Sequence, residues 1–352
     1  MQTYKHTIMR IYFNLLLILL ICCYSSCENG EWEFPDYEYQ AVYFAYQYPV
    51  RTITLGEDIF DTTLDNQGKC EIRATVGGVY ENQNDIAIGF QVDNSLVEGF
   101  LFGEGENPIL PLPTTHYSLA TDKIVIPAGE LSGGVEVQLT DSFFNDPKAL
   151  ERNYVIPIRM LSATPVDSIL SGEAQVTGPR RGNALDWAVQ PKDFIFYAIK
   201  YINPWEGYYL RRGQDIITGR NGNSEADQTI IRRESNVIDD EVVMLDSKSR
   251  YQISFDTGLQ NKEGVDLGIS LLVTLQDDGT ATISSPNPTE YSISGSGSFI
   301  KDGEKNSWGS QDRDALYLTY EVETEELSVS TKDTLVMRNR GVSLETFSPI
   351  LQ

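Results

Sequence analysis

Histidine and cysteine are nearly missing from this sequence, with two His and four Cys among 352 residues. One of the two, His6, lies in an N-terminal segment read below as removed, which leaves His116 alone. A multi-His metal site is therefore excluded, and a His-based triad would have to be built on that single residue. Basic residues are also few, 27 Lys and Arg against 51 Asp and Glu, for a formal net charge of −24. That balance excludes a nucleic-acid partner, whose affinity depends on clustered Lys and Arg, and an anionic membrane surface repels the chain for the same reason. Helical periodicity is scarce. Aromatic side chains are plentiful, with 14 Phe, 4 Trp and 19 Tyr, too many for a disordered chain. At about 150 residues per domain, the length suggests two domains, each with its own core.

The N-terminus reads as an address. Lys5 and Arg10 come without any acid, and an apolar run from Leu15 to Cys23 follows. At roughly nine residues this is a signal-peptide h-region, too short for a bilayer core of about 30 Å. Met9-Arg10 offers an alternative start of more usual signal length. The run ends in Tyr24-Ser25-Ser26-Cys27. Small residues directly before a Cys resemble the bacterial lipobox, in which that Cys is lipidated and becomes the first residue. Tyr24 departs from the usual aliphatic residue, and the alternative is an ordinary signal peptide cleaved nearby. Residues 1–26 are thus expected to be a lipoprotein signal peptide, with Cys27 carrying the lipid that holds the protein on the outer membrane. Residues 27–37 form an acidic tether. Its Glu28-Asn29-Gly30-Glu31-Trp32-Glu33 stretch resembles the surface-export signal of Bacteroidetes lipoproteins, the alternative being a solvated leash. Cys22 and Cys23 leave with the signal, so Cys70 remains alone and can form no intramolecular disulfide. Loss of Lys5 and Arg10 takes the charge from −24 to −26.

In the mature chain, period-2 alternation predicts an all-β protein. Ile86, Ile88, Phe90 and Val92 share one face, as do Val135, Val137 and Leu139, and Tyr154, Ile156, Ile158 and Met160. Pro157 cannot donate a ladder hydrogen bond, which predicts an edge strand or a bulge. Short strands between Gly- and Pro-rich turns predict a β-sandwich of immunoglobulin-like size over residues 38–178. Gly178-Pro179-Arg180-Arg181-Gly182-Asn183 marks a linker at 179–190. From 191 to 352 the strands lengthen into hairpins, with Asp277-Asp278-Gly279 a strong turn signal. They predict an up-and-down, lipocalin-like β-barrel, a second sandwich being the alternative.

Several stretches carry a family resemblance. Arg51-Thr52-Ile53-Thr54-Leu55-Gly56, Gly77-Gly78-Val79-Tyr80-Glu81-Asn82, Ile124-Val125-Ile126-Pro127-Ala128-Gly129 and Tyr154-Val155-Ile156-Pro157 resemble an immunoglobulin-like N-terminal domain of Bacteroidetes surface lipoproteins. That domain also stands ahead of the catalytic barrel in family-eighteen endo-β-N-acetylglucosaminidases, and it occurs in non-catalytic lipoproteins of polysaccharide-utilisation loci. The stretches Trp205-Glu206-Gly207-Tyr208-Tyr209-Leu210-Arg211-Arg212-Gly213 and Asp333-Thr334-Leu335-Val336-Met337-Arg338-Asn339-Arg340 resemble the lipocalin-like C-terminal domain of such proteins. The resemblance implies capture of an extracellular glycan at the cell surface, with a TonB-dependent transporter and its lipoprotein partners as further contacts. It transfers no catalytic residue, because the D-x-x-D-x-D-x-E run of family eighteen is absent.

Catalytic motifs are lacking elsewhere too, so the chain is expected not to be an enzyme, and no cofactor or metal is implied. Asp239-Asp240-Glu241 and Asp312-Arg313-Asp314 lack EF-hand spacing and read as solvated turns. His116 has no nucleophile elbow beside it. Aromatics are the better lead, since the C–H faces of sugars stack on Trp and Tyr while polar neighbours bond the hydroxyls. Trp308, in the polar loop Lys305-Asn306-Ser307-Trp308-Gly309-Ser310-Gln311, is a candidate stacking platform or a cap folded onto the barrel. Trp205 is expected to close a barrel end. Tyr208 and Tyr209 face opposite ways, so at most one lines the interior. Arg211, with Asn203 and Arg212, is a weaker polar candidate. The expectation is a non-catalytic glycan-binding lipoprotein. Its rivals are a docking lipoprotein of a transporter complex and a two-carboxylate glycosidase.

Overall fold

A computed structural model describes residues 39–222, 224–259 and 267–352. The signal segment, Cys27 and the tether lie outside the described residues. The chain is all-β, a two-sheet sandwich followed by a closed eight-stranded barrel.

In the sandwich, alternation in sequence becomes alternation in burial. Lys69–Gly77 and Ser132–Leu139 pair antiparallel and turn Cys70, Ile72, Ala74, Val76, Val135, Val137 and Leu139 inward. Ala41–Tyr43 and Ser168–Ile169 extend this sheet on one side, and Tyr117–Leu119 on the other. The opposing sheet runs Glu345–Thr346, Pro49–Thr54, Phe194–Ile202, Tyr154–Thr164, Ile86–Val92, Lys123–Ile126. The lone Cys70 is buried in the core between the sheets, and burial pushes its thiol up to about 12.

One expectation is decided and another corrected. Of the two alternatives for the strand bearing Pro157, the edge position is ruled out, since Tyr154–Thr164 is flanked by Phe194–Ile202 and Ile86–Val92, and the bulge is found, at an irregularity between Met160 and Ser162. Pro157 is tolerated there because its backbone faces the side on which the neighbour has already ended. Its carbonyl accepts from Asp93 N, one residue beyond that strand. No ladder bond is lost for want of the proline N–H.

The correction concerns the domain boundary. Residues 179–190 are not followed by a barrel strand. Phe194–Ile202 pairs parallel with Pro49–Thr54 and antiparallel with Tyr154–Thr164, so it completes the sandwich. Its Phe-Ile-Phe-Tyr-Ala-Ile run is buried on both faces. One side meets the intersheet core. The other meets a second cluster built from Phe100, Phe102, Phe194, Phe196 and Phe347.

The barrel strands are Gly207–Gly219, Glu241–Ser249, Gln252–Asp256, Ser270–Leu275, Thr280–Ser284, Ser292–Glu304, Arg313–Glu323 and Leu327–Asn339, joined as a meander. Pairing of Gly207–Gly219 with Leu327–Asn339 closes it. A short strand, Gln228–Arg232, adds to the distal half of Gly207–Gly219. The Asp277-Asp278-Gly279 hairpin forms, with Gly279 at φ +82° and Asp278 accepting from Thr280 N at 2.9 Å. After the barrel the chain returns to the sandwich. Glu345–Thr346 joins Pro49–Val50, and Ile350–Leu351 joins Phe100–Leu101.

The domains meet at residues 203–206. Asn203 is fully buried, and its amide holds Ser249 O and Gln252 O while its Oδ1 accepts from Trp205 N and Glu206 N. Arg340, leaving the last barrel strand, donates to four carbonyls, those of Leu55, Glu57, Asn203 and Glu206. Sandwich, junction and barrel thus share one buried guanidinium, and burial lowers its pKa. Among the described residues no helix is long and apolar enough to cross a membrane.

Candidate functional site

The barrel end that faces the sandwich leaves a cleft in two lobes. The first, about 410 Å³, lies between the sandwich loop Gly56–Ile59 and barrel residues 299–302, 312–314 and 337–340. The second, about 350 Å³, lies between Leu55 and Asn66 on one side and Trp205, Arg250, Tyr251, Gln276 and Asp277 on the other. Pro204 and Phe299 line both lobes and form a saddle between them. Each volume falls within the roughly 300–1,000 Å³ usual for ligand pockets, and a domain junction is a common place for one.

Most charges around the first lobe are already engaged. Lys301 pairs with Glu57 across the domains at 2.5 Å, an exposed pair that contributes little stability. Asp312 accepts from Lys305 and Asn306 N, and Asp314 from Asp302 N. The Asp312–Asp314 pair is thereby committed to its turn, and Asp240 likewise to Arg212 and Glu234 N. What remains is Arg338, exposed and without an ion pair among the described residues, Arg313, the Asp302 carboxylate, and Asp58 Oδ2, buried without a hydrogen-bond partner. In the second lobe Tyr251 is 40% exposed, with Arg250 stacked near its ring and Gln276 and Asp277 open to solvent.

The expected site residues do not converge. Trp205 lines the second lobe and also closes the barrel end, edge-on to Phe299 with its carbonyl accepting from Tyr209 OH at 2.9 Å. Trp308 sits half-buried behind the first lobe. Its indole N–H is spent on Met337 O at 3.2 Å, and one ring face is covered by the Arg313 guanidinium, 3.4 Å from the ring centre. Arg313, carried by Trp308, is the lining residue. Tyr208 is on the outer barrel wall against Gly341, and Tyr209 is fully buried in the core.

Arg211 is inside the barrel and has no free face. It donates through Nε and Nη2 to Asp333 Oδ2 at 3.1 and 3.0 Å and through Nη1 to Thr257 O at 2.9 Å. Tyr320 OH donates to the same Asp333 oxygen at 2.9 Å, and Arg232 reaches Asp333 Oδ1 at 2.7 Å while also pairing with Asp215. Burial alone would lower the Arg211 pKa, but the adjoining Asp333 carboxylate and Tyr320 raise it. Two arginines balanced by two aspartates make a structural network in which each residue has a partner, although Arg232 Nε is buried without one.

His116 belongs to a surface cluster of the sandwich. Its Nε2 is 3.1 Å from Asp146 Oδ2, which also accepts from Tyr154 OH at 2.6 Å. Burial and the Asp146 carboxylate push Tyr154 up to about 12. No group of three or more His, Cys, Asp or Glu among the described residues is arranged to hold a metal.

Comparison with known proteins fits the two-part architecture. A family of N-terminal domains matches residues 37–167, and a family described as a domain of unknown function, DUF5627, matches residues 204–341. No curated protein matches. A crystallographically solved Bacteroides ovatus protein of unknown function is 42% identical over 90% of this chain and 100% of its own, with a TM-score of 0.85. This chain belongs to the same family. Another Bacteroides ovatus protein of unknown function is 14% identical, with 88% and 99% of the two chains covered and a TM-score of 0.40. A third, described as a candidate carbohydrate-binding protein from the same organism, is 11% identical over 88% and 99%, with a TM-score of 0.28. At those scores neither bears on this family's function.

Tyr251, Arg313, Arg338, Gln276 and Asp277 were not singled out as ligand-facing by sequence reasoning. They sit at strand ends from distant parts of the barrel, and only its closure brings those ends together beside the sandwich.

Proposed function

We propose that this protein is a non-catalytic, lipid-anchored surface protein that binds an extracellular glycan for a polysaccharide-utilisation system, and that the interdomain cleft is its binding surface. The observation that carries this reading is the cleft's chemistry. An apolar saddle of Pro204 and Phe299 is flanked by side chains with uncommitted polar atoms, Arg338, Gln276, Asp277 and the Tyr251 hydroxyl. A sugar ring has the same two-sided character, with C–H faces for the apolar surface and hydroxyls for the polar rim. Fixing of the junction by Asn203 and Arg340 supports a preformed cleft, which spares a ligand the cost of ordering it. The lipobox-like Cys27 supports placement on the outer membrane, facing outward.

Affinity electrophoresis against a glycan panel tests this. Retardation by at least one glycan is expected, unchanged by a chelator and weakened by Tyr251→Ala and Arg338→Ala, with no reducing ends released. Migration unaffected by every glycan would sink the reading. A docking role in a TonB-dependent transporter complex is favoured by one observation, the outward-facing Ile216, Ile231 and Val242 on one barrel wall. It predicts co-purification with outer-membrane partners and no glycan retardation.

A further inference from the structure

Resting on the glycan reading, we infer that the two lobes are one continuous site for an uncharged oligosaccharide chain that crosses the Pro204–Phe299 saddle, rather than two separate sites or a pocket for a single sugar. Three observations carry this. Both lobes are lined by Pro204 and Phe299, so they abut, with only these two residues shared between them. Phe299 is half-buried, its ring edge-on to Trp205 at 6.5 Å, which fixes the saddle from below. Its backbone carbonyl also lies where a side chain at Gly279 would fall, 2.5 Å from the position of a Cβ, so the Asp278-Gly279 hairpin closes tightly under the second lobe.

The free polar groups stand at the two outer ends, Arg338 and Asp58 beyond one side of the saddle and Tyr251, Gln276 and Asp277 beyond the other. A ligand confined to one lobe meets half of them. A chain spanning the saddle lays successive rings on the apolar crest and reaches both ends.

The charge pattern selects against a polyanion. In the first lobe Lys301, Arg340, Glu57, Asp312 and Asp314 are already bound within the protein, which leaves Arg313 and Arg338 beside Asp58 and Asp302 with no excess of positive charge. The whole chain carries −24, and a like-charged polymer is repelled before it docks.

The test uses the full mature chain. Neutral gluco-, manno- and galacto-polysaccharides and polygalacturonate are first compared by affinity electrophoresis. Size-graded fragments of the neutral polymer that retards the protein are then titrated calorimetrically. Affinity is expected to rise by about tenfold or more once a fragment is long enough to reach both lobes, then level off. Tyr251→Ala should weaken the long fragments by about tenfold and bring them down to the affinity of fragments filling one lobe. Arg338→Ala, whose exposed side chain is dispensable for folding, should act in the same sense from the other end, and salt should matter little. Equal affinity for short and long fragments, or stronger retention by polygalacturonate than by any neutral glycan, overturns the inference while leaving glycan binding standing. No retardation by any polymer overturns both.

Discussion

Arg340→Met puts the domain junction to a quantitative test. Met keeps the aliphatic stem and its packing but removes the guanidinium. Wild-type Arg340 is 5% exposed and donates to Glu206 O at 2.6 Å, Leu55 O and Glu57 O at 3.1 Å each, and Asn203 O at 2.5 Å. The bonds to Leu55 and Asn203 are buried, whereas those to Glu57 and Glu206 are within reach of water. A hydrogen bond to a charged group contributes about 1.5–3 kcal/mol. Leu55 O is then left unpaired and Asn203 O keeps only the long 3.4 Å bond from Glu206 N, a cost of roughly 3–6 kcal/mol for the two lost bonds, while water recovers most of the other two. Relief of the burial penalty on the cation offsets part of this, which leaves a net loss of about 3 kcal/mol. At about 2–4 °C per kcal/mol for a chain of this size, Tm should fall by roughly 6–12 °C. Because the four carbonyls belong to the sandwich and the junction while the arginine belongs to the barrel, calorimetry should also show one unfolding transition separating into two. A Met variant that melts within about 2 °C of wild type in a single transition would refute the pinning role.

Three further perturbations follow from the same geometry. Asp333→Asn leaves Arg211 and Arg232 without their shared carboxylate inside the barrel and should cost about 3–5 kcal/mol by urea unfolding, whereas joint replacement of Arg211 by Met and Asp333 by Leu should cost less than the sum of the single changes. Phe347→Ala removes the side chain that packs edge-on to Phe102 at 4.9 Å and beside Tyr48 at 5.6 Å, so about 3 kcal/mol should be lost from the sandwich transition. Burial works against ionisation of Asp146, but hydrogen bonds from Tyr154, Lys148 N and His116 hold its carboxyl below the usual range. A depressed carboxylate stabilises the fold above its unfolded pKa of about 3.9 and stops doing so as pH falls through its folded value. The stability gap between wild type and Asp146→Asn should therefore be full at neutral pH and close in acid below about pH 4. A gap unchanged down to the acid limit would contradict the assignment.

Legibility of the sequence divided along physical lines. Strand faces were readable because burial on one side imposes period 2, as in Lys69–Gly77 and Arg313–Glu323. The closed barrel was readable from long alternating hairpins and the Asp-Gly turn at 278–279. Phe194–Ile202 was misplaced because its two-sided burial erases the alternation, leaving a run that fits either domain until Pro49–Thr54 is known to lie beside it. Pro157 left an edge position open for the opposite reason. The rule against interior proline assumes a neighbour on both sides, and where Ile86–Val92 ends is not written near Pro157.

The candidate site was the least legible part, and the reason bears on how such sites can be sought. A glycan surface needs side chains with unspent hydrogen-bonding capacity, and sequence reports residue type without reporting what is spent. Arg211 and Arg338 occur in similar basic, strand-like contexts, yet one gives its guanidinium to Asp333 and Thr257 and the other has no ion pair among the described residues. Trp308, the most inviting aromatic of the sequence, spends its N–H on Met337 and one face on Arg313, whereas Tyr251 keeps its hydroxyl free at the barrel's sandwich-facing end. The informative signal in the sequence was indirect. Arg211 and Asp333 each occupy an inward position of an alternating strand, where a charge is tolerated only with a partner, so a pair of opposite charges at such positions already implied mutual satisfaction. Setting those aside in advance would have directed attention from the strand interiors to the strand ends, where Tyr251, Gln276 and Arg338 lie beside the sandwich.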